Sequence, residues 1–267
     1  MKMATKLFLA TLVVLALPAM ALAQGHAFPY KTVCDVRIDN DGDCSADAVG
    51  DTVCVEGVVV AWKEFGNRGP GAIWDPVSGC CISIFDIDMA GPQAVGDLVE
   101  ICGWVGPFAG LDEIADEPGT GIDPTVMLIS QGNNFPCTPV TALDLADGST
   151  TAEGHESCLV SICGTFELAG GNFSAGSANY NFIDAQGDTC QVRIDSDTGI
   201  GGTAIPAGSV TLKGIFAQFD GFGANLCGGY QLLPRSLADI TPSSCTVAVD
   251  EVIWSDVKDK YREDDED

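Results

Sequence analysis

The sequence predicts an all-β protein built from two tandem five-stranded Greek-key barrels that are stapled by disulfides. The first observation is a strand around Gly214, in which apolar and other residues alternate at a period of two until the glycine interrupts them. The second is a repeat, because a stretch around Gly103 has the same pattern, and superposing the two glycines places Phe108 on Phe219. The third is the cysteine count of 12, an even number that favours a disulfide framework.

The first barrel is predicted over residues 51–130, with Gly57 bending its first strand. The turn from Pro76 to Gly79 joins the second and third strands as a hairpin. Residues 110–123 are rich in glycine and acidic side chains, so they are predicted to be a loop before the strand that closes the barrel. The predicted strands are residues 51–61, 72–75, 81–85, 95–103 and 126–129.

The second barrel is predicted over residues 155–241, after a proline-punctuated linker at residues 131–154. Its predicted strands are residues 158–166, 180–184, 190–195, 210–219 and 230–233. Three further pairs of residues superpose in the sequence: Gly164 on Gly57, Asp184 on Asp75, and Cys190 on Cys81. This common spacing indicates that the second barrel duplicates the first.

The motifs of the second barrel come in a characteristic order. Phe-Ile-Asp at 182–184 is followed by Val-Arg-Ile-Asp at 192–195, by Ile-Pro-x-Gly-x-Val-x-Leu-x-Gly at 205–214, and by Gly-Tyr-Gln-Leu-Leu-Pro-Arg-Ser at 229–236. This order is similar to that of a bacterial secreted family of tandem OB-fold domains, which also serve as accessory modules of extracellular and cell-surface proteins. The resemblance covers roughly residues 35–240. It implies OB-like barrels and a place outside the cell, and it brings no catalytic residues.

Residues 1–23 have the pattern of a secretory signal peptide. Lys2 and Lys6 precede an apolar run, and Ala21-Leu22-Ala23 is a small-x-small cleavage signal. The apolar run is too short to span a membrane, and no later stretch is long enough, so no transmembrane segment is expected. The sequence therefore predicts a secreted protein, extracellular, at the cell surface or in the periplasm, in which every cysteine is paired.

An aspartate-rich run lies in the predicted lead-in at residues 24–50. Its carboxylates alternate around Gly42, and flexible loops of this kind present oxygen ligands to calcium. The run resembles the calcium repeats of thrombospondin type 3, which implies calcium as a possible cofactor. The candidate ligands are Asp39, Asp41, Asp43 and Asp47. The alternative is a polar turn that leads into the first strand.

The charge of the chain argues against a nucleic-acid partner. The formal net charge is −26, and its few Lys and Arg residues are scattered. Phosphate backbones are bound through clustered positive charge, so we expect this chain to repel them.

Residues 242–267 differ in kind from the barrels. Ser255 is expected to cap a short C-terminal helix in which Trp254, Val257 and Tyr261 share one face, before a strongly acidic tail. The helix either docks on the second barrel or serves as a sorting or partner-binding signal.

The sequence offers no catalytic set, so we expect a protein that is not an enzyme. Its histidines are His26 and His155, and neither lies in a motif that would place it beside a nucleophile. Two functions stay open. One is a binding or accessory module with a protein, glycan or small-molecule partner at or outside the cell surface. The other is a structural subunit of an extracellular filament or surface assembly that self-associates, stabilised by calcium.

Overall fold

The computed structural model describes residues 28–67, 70–85, 91–120, 123–149, 151–220 and 226–244. In this part of the chain the regular secondary structure is almost entirely β-strand, with two single-turn α-helices and two short 3-10 helices. The α-helices are α1 (Val33–Val36) and α2 (Ala152–His155), and the 3-10 helices are Ser196–Thr198 and Leu237–Asp239. The strands are β1 (Thr52–Ala61), β2 (Gly71–Trp74), β3 (Cys81–Ile84), β4 (Leu98–Phe108), β5 (Leu111–Ala115), β6 (Thr125–Ser130), β7 (Thr138–Pro139), β8 (Leu159–Phe166), β9 (Ala178–Asp184), β10 (Thr189–Ile194), β11 (Val210–Gln218), β12 (Tyr230–Leu233) and β13 (Ile240–Pro242).

The predicted pair of five-stranded barrels is confirmed. The first closes in the order β1-β2-β3-β5-β4 and back to β1, and β6 pairs with β4 beside the closed ring. The second closes in the order β8-β9-β10-β12-β11 and back to β8, with β7 and β13 added outside the ring. One neighbouring pair in each ring runs parallel: β3 with β5 in the first barrel, and β10 with β12 in the second. The other neighbours in each ring run antiparallel. This is the connectivity expected of OB-like barrels.

The prediction of a loop over residues 110–123 is wrong for the first part of that segment. Leu111–Ala115 forms β5, which closes the first barrel and is buried along its whole length. The predicted closing strand exists as β6, but it pairs with β4 alone among the described strands. The prediction failed because β5 carries two adjacent carboxyl groups, Asp112 and Glu113, and buried carboxyl groups are rare in a strand.

The sheet registers confirm that the barrels are duplicates. Val99 pairs with Gly57 in the first barrel, and Val210 pairs with Gly164 in the second, as superposing Gly103 on Gly214 requires. At all four of these glycines a Cβ would lie within 3.0 Å of a neighbouring strand or side chain. The glycines are therefore needed because the bent strands approach their neighbours too closely for a side chain.

One superposition from the sequence, that of Cys190 on Cys81, is wrong. Cys190 pairs across its hairpin with Phe182, whereas Cys81 pairs with Trp74. The counterpart of Cys190 is Ile82, because the turn after Asp184 is one residue shorter than the turn of the first barrel. A slip of one residue moves a side chain to the opposite face of a strand, so Cys190 points into the core of the second barrel.

The prediction that every cysteine is paired is therefore wrong. Cys190 is a free thiol in the barrel core, where burial, followed by the negative charge of Asp184, raises its pKa to about 12. Cys137 is also free. The predicted disulfide framework is nevertheless present, and Cys163 is disulfide-bonded as well. The four disulfides with both cysteines described are Cys34–Cys80, Cys44–Cys227, Cys54–Cys102 and Cys81–Cys158.

The two barrels are joined by an apolar interface and by two of these disulfides. The interface is distinct from the core that each barrel encloses. It consists of Val60, Ala61, Phe65, Ala72 and Leu111 from the first barrel and Leu159, Ile215, Ala217 and Leu233 from the second. Cys81–Cys158 and Cys44–Cys227 cross between the two halves of the chain.

Two arginines add polar links between the halves. Arg37, just after α1, is paired with the fully buried Glu156 at 2.8 Å and also donates to the Glu153 carbonyl at 2.8 Å. Arg235, from the predicted Leu-Leu-Pro-Arg motif, donates to the Val60 carbonyl at 2.8 Å. Since a backbone carbonyl accepts these bonds at fixed positions, the arginines set how the barrels face each other.

Some predicted segments lie outside the described residues. They are the signal peptide at residues 1–23, the C-terminal helix around Ser255, and the acidic tail. In the part of the chain that the structure covers, no helix has the length and apolar character needed to cross a membrane.

Candidate functional site

The aspartate-rich run folds as a loop that its own carboxylates cap. Asp39 accepts backbone N–H bonds from Gly42 at 2.7 Å and from Cys44 at 2.9 Å, and Asp43 accepts one from Ser45 at 3.0 Å. Asp47 accepts from the Asn40 backbone at 3.4 Å and from the Asn40 side-chain amide. Asp and Asn side chains close turns in this way. The Cys44–Cys227 disulfide anchors the loop to the second half of the chain.

Three of the four predicted ligands converge. Asp39, Asp41 and Asp47 each place a carboxylate oxygen within 4.8 Å of the other two, and Asp43 lies outside this group. The negative charge of Asp43 raises the pKa of Asp41 above its ordinary value. Partial burial raises the pKa of Asp39, but the backbone N–H bonds from Cys44 and Gly42 outweigh it and lower the pKa overall. The loop therefore has the oxygen donors that calcium prefers, held close together.

A second candidate site, absent from the sequence prediction, is a cleft of about 130 Å³ between the barrels. We call it the inter-barrel cleft. Its lining residues are Phe65, Pro70, Phe85, Phe108, Leu111, Glu113, Arg193, Asp195, Ala217, Gln218, Phe219, Gln231 and Leu233. An apolar pocket with a few convergent polar groups is the usual form of a ligand site.

Three of the four phenylalanines that line the cleft form one wall. The rings of Phe85 and Phe108 are stacked, with centroids 6.1 Å apart and planes within 8°. Phe219, from the second barrel, lies 6.3 Å from Phe108 at an angle of 52°. Phe108 and Phe219 are 42% and 46% exposed, so both side chains are partly accessible from solvent. The wall thus presents aromatic surface from both barrels to a ligand.

Gln218, at the end of β11, contributes an unsatisfied acceptor to the cleft. The residue is 2% exposed, and its Nε2 donates to the carbonyls of Leu226 and Gly228. Its Oε1 is buried without a hydrogen-bond partner. The side chain is held by the turn at Gly110, where φ is +97° and a Cβ would lie 2.5 Å from the Gln218 amide carbon. Only glycine fits this position.

Glu113 on β5 contributes a buried carboxyl group. It is 5% exposed, and its carboxyl has no hydrogen bond or ion pair to any residue that the structure describes. Burial, and secondly the negative charge of Asp112, raise the pKa of Glu113 to about 8. A carboxyl group that is this deeply buried is unusual, and carboxyl groups with a strongly raised pKa in a cleft concentrate at functional sites.

The two halves of the cleft are built from duplicated positions. Ile84 pairs with Ile114 in the first barrel, and Val192 pairs with Leu232 at the equivalent position of the second. The residues that follow Ile84 and Val192, which are Phe85 and Arg193, are therefore counterparts. By the same registers, three pairs of counterparts line the cleft: Phe85 and Arg193, Phe108 and Phe219, and Glu113 and Gln231. The sequence repeat contained the Phe108–Phe219 pair, but Glu113 was missed because β5 was predicted to be a loop.

Comparisons with known proteins add little to this geometry. No family model matches the chain, and no curated protein matches it. A solved structure described as "Molecular basis for abrogation of activation of pro-inflammatory cytokines" has a TM-score of 0.33 and 12% identity, over 67% of this chain and 87% of that chain. Another, described as "Structural mimicry for functional antagonism", has a TM-score of 0.32 and 15% identity, over 69% of this chain and 88% of that chain. Likenesses this distant carry no argument about function.

Proposed function

We propose that this protein is a secreted, non-catalytic binding module that holds a ligand in the inter-barrel cleft. The observation that carries the proposal is that Gln218 Oε1 is buried without a hydrogen-bond partner in a cleft that is also lined by Glu113, a carboxyl group only 5% exposed. Leaving a buried polar group unsatisfied costs roughly 1–3 kcal/mol. A ligand that donates hydrogen bonds to both groups would recover that cost.

The links between the barrels support this proposal because they fix the cleft before a ligand arrives. The Cys81–Cys158 disulfide, the apolar interface and the Arg235–Val60 hydrogen bond all join the two barrels that form the walls of the cleft. A site that is already formed loses less conformational entropy on binding.

The residues of the cleft support a role in binding rather than catalysis. The described residues that line it include no Ser, Thr, Cys, Lys or His, so no nucleophile stands beside a base there. The net charge of −26 supports the exclusion of nucleic acid as the partner.

The proposal that the protein is secreted rests on the signal-peptide pattern at residues 1–23. The disulfides fit a non-cytoplasmic, oxidising compartment. The protein would then act as an accessory module at or outside the cell surface, as the resemblance to secreted tandem OB-fold proteins implies.

An exposed strand favours a second candidate function, a structural subunit that self-associates. In the described part of the chain, β6 pairs with β4 alone, and its central residues Met127, Leu128 and Ile129 are 42%, 46% and 40% exposed. An exposed apolar edge strand is a template for pairing with another chain. Light scattering over a concentration series would show association that Leu128→Lys abolishes.

Calcium is proposed to stabilise the aspartate-rich loop in either case. Asp39, Asp41 and Asp47 would supply the oxygen ligands, and the ion would offset the repulsion between their charges. The role is structural, because the loop is covalently tied to Cys227, which follows β11 and precedes β12.

Binding in the cleft is tested by recording amide NMR spectra of the isotope-labelled full chain with a panel of small ligands. The panel contains an organic cation, a neutral amide and a monosaccharide. We expect at least one to shift the backbone signals of Glu113, Gln218 and Gln231, and Phe108→Ala with Phe219→Ala to abolish the shifts. The matched control removes two exposed apolar side chains elsewhere, Val77→Ala with Leu168→Ala. Shifts confined to β6, or no shifts, would contradict the proposal.

A further inference from the structure

We infer that the inter-barrel cleft binds an organic cation that carries N–H donors, an ammonium or guanidinium group on a short apolar stem, with Glu113 as its counter-ion. This inference rests on the proposed function and assigns the chemical class of its ligand. Four properties of the cleft support it: its hydrogen-bonding capacity, its aromatic wall, its charge and its size.

The hydrogen-bonding groups of the cleft call for a ligand that donates. Gln218 has already used its amide N–H groups on two backbone carbonyls, so only its Oε1 acceptor is left for a ligand. The Glu113 carboxylate, once ionised, is acceptor-only as well. Ammonium and guanidinium groups donate and do not accept, so they complement both.

The aromatic wall favours a cation over a neutral donor. A cation within about 6 Å of a phenylalanine ring centroid is attracted to the ring face, and the attraction grows when water is excluded. Phe85, Phe108 and Phe219 are neighbours in a single wall, with successive centroids 6.1 and 6.3 Å apart. A small cation in the cleft would therefore contact more than one ring.

Once Glu113 is ionised, the charges around the cleft also favour a cation. The charged residues that line it in the described part of the chain are Glu113, Asp195 and Arg193. Arg193 directs its Nη1 to the side-chain oxygen of Asn179 at 3.1 Å. The chain as a whole carries −26, which raises the local concentration of cations.

The size of the cleft limits the ligand to a small group. Its volume is about 130 Å³, and a protein cavity of about 150 Å³ takes a benzene-sized molecule. Leu111, Ala217 and Leu233 supply apolar surface for the stem of the ligand. The cation is either free in solution or the end of a basic side chain.

Binding of a cation would release a proton. Since burial raises the pKa of Glu113 to about 8, the carboxyl is mostly protonated at neutral pH without a ligand. A cation favours the ionised form, so affinity rises with pH until Glu113 is ionised in the free protein. The charged groups around Glu113 are Asp112 on its own strand and Arg193 and Asp195 on and after β10.

The test is calorimetric titration of the full chain with butylguanidinium, which keeps its charge at every pH used. Butylurea is the matched neutral ligand. We expect butylguanidinium to bind at least about tenfold more tightly, with affinity that rises from about pH 6.5 to about pH 8.5 and proton release that is visible in buffers of different ionisation enthalpy. A blocked Gly-Arg-Gly peptide shows whether a side chain of a larger partner also fits.

Two variants test whether Glu113 causes the preference for the cation. Glu113→Gln should remove the preference for the cation and its pH dependence, whereas Glu167→Gln, which removes the same charge from an exposed site, should change neither. Butylurea binding as tightly as butylguanidinium, or an unchanged preference in Glu113→Gln, would overturn the inference. If butylurea alone binds and Phe108→Ala weakens it, the proposed function stands without the inference. If no ligand shifts the cleft signals, both are wrong.

Discussion

The two barrels share a plan at the turns and differ at the cleft. In the first barrel, the buried Asp75 accepts N–H bonds from Val77 in its own turn and from Val33 in the lead-in. In the second, Asp184 accepts from Gln186 and Asp188 in its turn and from the backbone of Ala142 in the linker. Each aspartate thus fastens the segment that precedes its barrel, and the duplicated position has kept one structural task.

The counterparts in the cleft have diverged in chemistry. Glu113 has Gln231 as its counterpart, and Phe85 has Arg193. The first barrel therefore contributes a buried acid and three of the four phenylalanine rings. The second contributes two neutral amides, the fourth ring and the charged pair Arg193 and Asp195. This contrast teaches that the positions kept between the repeats hold the fold, while the positions that differ are candidates for ligand recognition.

The largest effect on stability is expected from removing either of the two buried aspartates that fasten the segments before the barrels. Asp184→Ala leaves three buried or partly buried N–H groups without an acceptor and should cost about 3–4 kcal/mol of unfolding free energy. Asp75→Ala should cost about 1 kcal/mol less, because the Cys34–Cys80 disulfide still holds the lead-in against the hairpin.

Urea unfolding of both variants measures this difference. Gln186→Ala is the control, because it shortens an exposed side chain and keeps the backbone N–H. A larger loss in Asp75→Ala than in Asp184→Ala would show that the disulfide does not substitute for the carboxylate.

The next effect concerns the covalent link between the barrels. Removing Cys81–Cys158 by double alanine substitution should cost about 3 kcal/mol, and removing Cys54–Cys102, which joins paired strands within the first barrel, should cost a similar amount. Only the first should weaken ligand binding, because only it links the two walls of the cleft. Equal loss of affinity in both variants would show that ligand binding does not depend on the covalent link between the barrels.

A smaller effect is expected from pH on the free energy of unfolding, because Glu113 can lose a proton and its counterpart Gln231 cannot. The ordinary pKa of a glutamate is 4.5, and that of Glu113 is raised to about 8 by burial and then by Asp112. Between these values the folded chain keeps a proton that the unfolded chain has lost, so stability falls as pH rises. Glu113→Gln should remove about 2 kcal/mol of that fall between about pH 6 and pH 8. Thermal unfolding at several pH values checks this, with Gln231→Glu expected to steepen the fall.

The smallest effect is expected from calcium at the aspartate-rich loop. Millimolar calcium should stabilise the chain by about 1–2 kcal/mol relative to chelator, since sites outside the cell are often weak. Asp41→Asn with Asp47→Asn should abolish the shift in melting temperature, whereas Asp43→Asn, outside the group of three, should keep most of it. An equal shift in all three proteins would place calcium elsewhere.

The sequence was sufficient to predict the barrels because their signals are local and repeated. Glycines at strand bends and the alternation around Gly103 and Gly214 identified the duplication. Two failures have physical causes. Glu113 was missed because a carboxyl buried beside Asp112 makes a strand resemble a loop. Cys190 was superposed on Cys81 because spacing in sequence does not reveal that a turn one residue shorter turns it to the other face, and an even cysteine count does not show which thiols stay free.

The cleft itself could not be predicted because it depends on how two barrels meet. Phe108 and Phe219 are 111 positions apart in the sequence, and Arg235 and Val60 are separated by 175. Long-range contacts of this kind are set by tertiary packing, which no pattern within a strand records. A search for duplicated positions with different chemistry, such as Glu113 and Gln231, would have drawn attention to the site once β5 was known.

The most direct test of the account is to compare Phe108→Ala with Phe219→Ala in calorimetric titrations with butylguanidinium. If both barrels build one ligand site, each substitution should weaken binding by roughly three- to tenfold, because each removes one ring of the same wall. Val77→Ala, an exposed apolar residue on the hairpin of the first barrel, should leave the affinity unchanged. A loss in only one of the two phenylalanine variants, or in neither, would contradict the claim that the ligand is held between the barrels.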